Sequence, residues 1–276
     1  MPKARVGESV HRTVELYYEV HGPEGAQEWV FLVTGLSGLA SAWEKQLPAF
    51  AERYRVVVHD HRGTGQSEKP ESPYSVELQA GDLAGLMDHL GVDRAHIVGS
   101  STGGAMGMAL ALDRPERVRS LALVSTWPGP DFHFRRLFEV RRRILRHMGA
   151  QDYIRASTLW LYPPEYLNGH AREVEEMERR QLQSFPPPRV ADLRLQMVLA
   201  FDRREELGRI AAPTLVLVAK DDILTPPHFS REIAQKIPGA ELLVMEGGGH
   251  SIHRVNPEGF NRAVLDFLAR HGDREE

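Results

Sequence analysis

The chain has no cysteine among its 276 residues. That excludes a disulfide framework, a thiolate metal site and a thiol nucleophile. An excess of one charge is missing too: 34 lysines and arginines stand interspersed with 38 aspartates and glutamates, for a formal net charge of −4. Such a balance leaves no electrostatic footprint for nucleic acid. No apolar run approaches the ~20 residues that cross a bilayer. The start, Met1-Pro2-Lys3-Ala4-Arg5-Val6-Gly7-Glu8-Ser9, has no apolar leader core. The expectation is a cytoplasmic protein that acts on a small molecule, without nucleic acid or membrane, a homodimer being left open. Internal repeats and low-complexity segments are absent as well.

What is present is an alternation of β-rich and helical patterns, which predicts a mainly parallel sheet covered by helices on both faces. Strands are expected at Val14–Val20, Trp29–Thr34, Arg55–His59, Ala95–Gly99, Leu121–Ser125, Thr214–Ala219 and Glu241–Met245. Intervening helices are expected at Ala42–Arg53, Ser75–Leu90 and Thr102–Arg114. Between Trp127 and Ala212 the alternation stops. That stretch reads as helices, including Phe134–Met148, Glu165–Gln183 and Val190–Arg204, broken by Pro163-Pro164 and Pro186-Pro187-Pro188. Strands resume after it, so the expectation is a core of residues 1–126 and 213–276 with a helical cap, 127–212, inserted.

Gly99-Ser100-Ser101-Thr102-Gly103 fits G-x-S-x-G between an apolar run and a run of small residues. A strand that turns sharply into a helix at a serine exposes its hydroxyl above the sheet edge, and glycines on either side leave room for the turn. Ser101 has both glycines; Ser100 would need them where Val98 and Thr102 stand. Ser101 is the candidate nucleophile, against the plainer reading of a glycine-rich strand–helix turn.

A serine hydroxyl needs a base to take its proton, and the base needs an acid to fix its tautomer. The acid is sought after a strand downstream, and Lys220-Asp221-Asp222 leaves the strand Thr214–Ala219. Asp222 is preferred to Asp221 because it makes D-x-x-x-P with Pro226. The base is sought after the last strand, where Gly247-Gly248-Gly249 delivers His250. Of 13 histidines it alone has this placement, His253 being the local rival. The developing oxyanion needs donors. The Thr102 N–H, at a helix N-terminus, and the Leu36 N–H, in Gly35-Leu36-Ser37-Gly38 after a strand, are the candidates.

These residues, with Asp60-His61-Arg62-Gly63-Thr64-Gly65-Gln66-Ser67, Arg114-Pro115-Glu116-Arg117-Val118 and Gly249-His250 through Asn256-Pro257-Glu258, resemble the α/β-hydrolase superfamily along nearly the whole chain. In that family the D-x-R-G-x-G-x-S turn shapes a loop and is structural. The Gly35-Leu36 loop, the Ser101 elbow and Ala109-Leu110-Ala111-Leu112 resemble 3-oxoadipate enol-lactonases. Phe138–Arg146 and Leu161-Tyr162-Pro163-Pro164-Glu165-Tyr166 are more similar to the proposed carbamate or aminoacrylate hydrolase of pyrimidine utilisation. Two positions depart from the pattern: Thr34 where many members have histidine, and Thr102 where many have methionine or leucine, which would put a hydroxyl at the pocket floor.

The resemblance implies the α/β-hydrolase fold and a two-step acyl transfer from a small ester, lactone or carbamate, needing neither metal nor organic cofactor. Alternatives are a carbon–carbon bond hydrolase with the same triad and a slow-turnover ligand-binding receptor. Dehalogenase chemistry is disfavoured because its nucleophile is aspartate. Substrate choice is expected in the cap. Trp127 and Met106 are candidates for the pocket or for packing. Arg141 falls in the apolar stripe of Phe134–Met148, where it either clamps a substrate carboxylate or extends to water or a cap glutamate. Arg135, Arg142 and Arg143 read as a solvated face.

Overall fold

The computed structural model describes residues 2–7 and 13–272. Met1, Glu8 and Ser9 of the leader reading, and residues 1, 8–12 and 273–276 of the expected core, lie outside the described residues. No helix among the described residues is long and apolar enough to cross a membrane.

Eight strands form one sheet in the order β1 (Lys3–Val6), β2 (Val14–His21), β4 (Arg55–His59), β3 (Trp29–Val33), β5 (Ala95–Ser100), β6 (Val118–Val124), β7 (Thr214–Ala219) and β8 (Glu241–Met245). All pairings from β4 to β8 are parallel; β1 and β2 form an antiparallel edge. Strand β1 was not expected from the sequence, because four residues are too few to show alternation. Edge strand β8 is only partly covered, whereas the interior strands β5 and β7 are buried throughout.

Side-chain alternation divides the core in two. Phe31, Val33, Val57 and Ile97 face one cluster, while Val30, Leu32, Val56, Val58 and Val98 face the other. On the first face lie α2 (Val76–His89) and α3 (Thr102–Asp113), and on the second α1 (Leu47–Phe50) and α11 (Pro257–Arg270), the latter burying Phe260, Val264 and Phe267. Helix α9 (Pro227–Lys236) packs on β7 and β8, and α10 (Ile252–Val255) on α11. The expected helix Ala42–Arg53 is instead a short 3-10 turn, Ala40–Trp43, followed by α1. Pro48 lacks an N–H and sits in the first turn of α1, so the chain restarts there rather than running through.

Five helices lie between β6 and β7: α4 (Phe132–Met148), α5 (Ala150–Leu161), α6 (Pro164–Gly169), α7 (Ala171–Gln183) and α8 (Pro188–Ala200). Asp131 caps α4 by accepting the Phe134 N–H at 2.8 Å. Gly149, at φ +87°, ends that helix and starts α5. The expected single helix Glu165–Gln183 is broken at His170 into α6 and α7. Helix α4 buries Phe134, Phe138, Arg141 and Leu145 and packs on α5 and α8. Arg135 and Arg143 face solvent as expected from the stripe, but Arg142 does not: it grips Asp192 of α8 through two bonds, at 2.8 and 3.1 Å.

Candidate active site

Strand β5 ends at Ser100 and α3 begins at Thr102, so a single residue, Ser101, makes the turn, at φ 52°, ψ −116°. This is strained backbone for a residue with a Cβ. The surrounding packing enforces it. A Cβ on Gly99 would stand 2.3 Å from the Gly103 carbonyl oxygen, and a Cβ on Gly103 would stand 2.1 Å from that of Val33. The two glycines of the motif are therefore steric necessities. The Ser101 N–H donates to Val124 at 2.8 Å, and Thr126 Oγ1 donates to the Ser101 carbonyl at 2.7 Å. The turn is thus tied to the end of β6.

Asp222 and His250 meet across the ends of β7 and β8. His250 Nδ1 lies 3.0 Å from Asp222 Oδ2 and 3.2 Å from Oδ1. Asp222 also accepts the N–H groups of Leu224 and Thr225, each at 2.9 Å, and the Thr225 hydroxyl at 2.9 Å. These donors fix the orientation of the carboxylate toward the imidazole. The proton on His250 then belongs at Nδ1, leaving Nε2 as a base.

Asp221, the competing acid, does a different job. Its carboxylate accepts the N–H groups of Gly248 and Gly249, at 3.3 and 2.9 Å, and so fixes the glycine loop that carries His250. The tandem Asp221-Asp222 therefore divides into a loop anchor and the histidine's partner. His253 is buried against the ring of Trp43, with centroids 4.8 Å apart, and burial pushes it down to about 3. It stays neutral at physiological pH.

Ser101 and His250 line one cavity of about 720 Å³, with Leu36, Arg141 and Arg194. Ser101 Oγ and His250 Nε2 both keep surface open to it, and among the described residues no hydrogen bond joins them. The Asp222–His250 arm is formed, and the hydroxyl stands free beneath it.

The loop after β3 supplies the other wall. A Cβ on Gly35 would come within 3.3 Å of Ser101 Cβ and 3.8 Å of Oγ. The Gly35 carbonyl accepts the Gly38 N–H at 3.0 Å. In a planar trans peptide the Leu36 N–H points opposite to that carbonyl, out of the turn. Neither it nor the Thr102 N–H donates to a protein acceptor among the described residues. The loop is held by the His61 N–H and Thr64 Oγ1, both donating to Gly38 O at 2.8 Å, and by Arg194 Nη1, donating to Leu36 O at 2.8 Å. The Asp60–Ser67 turn works as a scaffold here: Asp60 takes the N–H groups of Ala40 and Gln66, each at 2.8 Å, and Arg62 makes a bidentate buried pair with Asp82 at 2.8 and 2.6 Å.

Three expectations need correction. Trp127 and Met106 do not line the cavity; each is 1 % exposed, Trp127 packed against Phe134 and Phe201, and Met106 in the core beneath the sheet. The Thr102 hydroxyl is not on the pocket floor, because its oxygen is fully buried and has no partner. Arg141 does not pair with a glutamate among the described residues. It is 5 % exposed and reaches Tyr153 Oη at 2.9 Å and Ser157 Oγ at 3.3 Å. Arg194 escaped the sequence reading, since an arginine in Val190-Ala191-Asp192-Leu193-Arg194 looks like a helix surface residue.

Residues 28–161 and 177–257 match the family model described as alpha/beta hydrolase fold. The chain belongs to the α/β-hydrolase fold family. It is 41% identical over 256 residues to the Caulobacter sp. (strain K31) protein named "Putative carbamate hydrolase RutD", covering 92% of this chain and 96% of that one. A protein of the same name from Azorhizobium caulinodans is 41% identical over 267 residues, covering 97% and 98%. Among solved structures, the enol-lactonase from Burkholderia xenovorans LB400 superposes with a TM-score of 0.89 at 28% identity, covering 97% of this chain and all of that one. A thermophilic esterase from Thermogutta terrifontis, solved with malate bound, gives 0.88 at 25% identity, covering 99% and 100%. The relatives are named as hydrolases, a lactonase and an esterase, and this chain is a hydrolase enzyme.

Proposed function

We propose that this α/β-hydrolase cleaves a small carboxylic ester, lactone or carbamate through an acyl-enzyme on Ser101. The observation that carries the reading is that Ser101, on a strained elbow, His250, paired with Asp222, and Leu36 line one cavity. His250 Nε2 takes the Ser101 proton as Oγ attacks the carbonyl carbon, and Asp222 stabilises the imidazolium that forms. The oxyanion is held by the Leu36 and Thr102 N–H groups, the second at the N-terminus of α3, where the helix dipole favours negative charge. The new Ser101 ester forms as the leaving group departs with the proton from His250. Water then repeats the cycle and frees the acid. The inserted helices α4–α8, residues 127–212 with their flanks, act as a cap that selects the substrate.

The relatives' names support ester-like and carbamate chemistry alike, and the site's parts suit both. The test is multiple-turnover hydrolysis of p-nitrophenyl acetate and butyrate by wild type and Ser101→Ala. The expected result is wild-type turnover that the variant loses while remaining folded. Equal rates would remove Ser101 from the chemistry. Turnover of a vinylogous diketone with no ester cleavage would make the enzyme a carbon–carbon bond hydrolase, and single-turnover binding without release would make it a receptor.

A further inference from the structure

The cavity wall contains a cation without an anion. Arg141, on α4, lies between three aromatic rings, its guanidinium carbon 4.8 Å from the ring centre of Phe138, 5.3 Å from Tyr153 and 6.0 Å from Trp160. Its Nη2 faces Tyr153 Oη and Ser157 Oγ, neutral groups both. Its Nε is buried with no partner, and no carboxylate lies within ion-pair distance among the described residues. Nη1 makes no hydrogen bond and keeps surface, in a residue that lines the cavity. A second buried cation, Arg194, also lines the cavity without a carboxylate, its Nη1 spent on the Leu36 carbonyl.

The acids at the cavity are otherwise engaged. Glu19 binds Tyr17 and His21, Glu44 pairs with Arg254, and Asp60 holds two backbone amides. Glu173 pairs with Lys45, and Glu176 with Arg179 and Arg180. Removing a guanidinium from water with no counter-charge is costly, and proteins keep such a group where a ligand completes it. Aromatic faces hold the charge in place but cannot satisfy its N–H donors.

We infer that Arg141, with the hydroxyls of Tyr153 and Ser157, is a subsite for a carboxylate of the substrate, at a distance from the carbonyl that Ser101 attacks. The inference rests on the acyl-transfer reading above and narrows it. The substrate bears two carbonyl functions, one reactive and neutral, one an anion held by the fork of the guanidinium. Half-esters of dicarboxylic acids, or lactones with a free carboxylate, have this form. A lone carbamate ion does not, because its single carbonyl cannot occupy both places.

The test separates binding from turnover. Binding of succinate, glutarate and adipate is measured by calorimetry on Ser101→Ala, on Ser101→Ala with Arg141→Gln, and on Ser101→Ala with Arg141→Lys. At least one dicarboxylate is expected to bind Ser101→Ala and to lose about thirtyfold or more in affinity on Arg141→Gln, with partial recovery on Arg141→Lys. In turnover, the ratio of kcat/KM for mono-p-nitrophenyl glutarate over p-nitrophenyl valerate, which differ by the carboxylate, falls by a similar factor on Arg141→Gln. Equal affinity of all three dicarboxylates in the presence and absence of Arg141, or a ratio that does not move, overturns the subsite. If Ser101→Ala retains full turnover, the acyl-enzyme reading fails, while the calorimetry still decides the subsite by itself.

Discussion

Arg194 Nη1 donates to the Leu36 carbonyl at 2.8 Å, joining helix α8 of the insertion to the loop that carries the candidate second oxyanion donor. Arg194 is 3 % exposed, and burial pushes its guanidinium down to about 10, so it remains charged at neutral pH. Nη2 lies 3.4 Å from His61 Nδ1, in a histidine whose N–H closes the same loop on Gly38. Whatever holds α8 in place therefore also holds the Leu36 peptide.

Arg194→Gln is expected to lower kcat by about tenfold to a hundredfold, part of what losing one oxyanion donor costs, with a smaller change in KM. Arg194→Lys, which keeps the charge but loses the fork, is expected to fall between. Steady-state kinetics on an ester checks it; a change confined to KM would show that Arg194 acts on substrate binding rather than on the loop.

The two adjacent aspartates are expected to separate cleanly. Asp222→Asn removes the charge that faces His250 and offers it an amide, and kcat is expected to drop by about a thousandfold or more. Asp221→Asn keeps that charge and weakens only the grip on Gly248 and Gly249, for a loss nearer tenfold. Comparable losses in the two variants would contradict the division of labour.

Gly103→Ala is expected to destabilise the protein by about 4 kcal/mol or more, because the new Cβ meets Val33 and Thr34 backbone carbonyls, at 2.1 and 2.6 Å, which cannot rotate away. Gly25→Ala, where nothing lies within 4 Å of the new atom, is expected to change stability by no more than about 0.5 kcal/mol. Urea unfolding midpoints of the pair measure the contrast.

His59 has both ring nitrogens buried without a partner, and burial pushes it down to about 4. The unfolded chain, with a histidine near 6.5, binds the proton that the folded chain refuses. Stability from this group is therefore complete above about pH 6.5 and is lost as the pH falls toward about 4, by about 1.4 kcal/mol per unit inside that window. His253, pushed to about 3 by the same cause, acts in the same sense, whereas Asp60 and Asp82, raised by burial, act in the opposite one. The difference between wild type and His59→Leu reports this group together with its effect on His61, whose ring centre lies 5.2 Å away: the variant's stability is expected to decline less steeply between pH 6.5 and 4. Parallel curves would show that His59 is protonated in the folded state.

Much of this molecule was written in local pattern. β4 and β7 run over the stretches marked by their apolar β-branched residues, since a strand buried between helix layers has few other ways to be built. The elbow was legible because G-x-S-x-G is a steric demand and not a preference, and both glycines prove to touch backbone. The 3-10 turn and α1 were read as one helix because the apolar spacing around Trp43 and Phe50 suits a continuous helix, although Pro48, in the first turn of α1, marks where the chain restarts.

The sequence by itself determined the class of sheet, the elbow at Ser101, the chain order of Ser101, Asp222 and His250, and the helical character of the segment between β6 and β7. Each of these follows from periodicity, from a glycine that only a crowded turn requires, or from an acid and a base placed just past strand ends. Asp222, which D-x-x-x-P favours over Asp221, is the acid that faces the imidazole. Tertiary structure alone decided that Asp221 anchors the glycine loop, that Trp127 and Met106 pack rather than line the cavity, and that Arg141 and Arg194 are buried cations at its wall. A charge on a helix looks the same in sequence whether solvent or a cavity lies beyond it. What lies beyond is set by helices more than a hundred residues away along the chain, as Leu36 and Arg194 are, 158 positions apart and one hydrogen bond from each other.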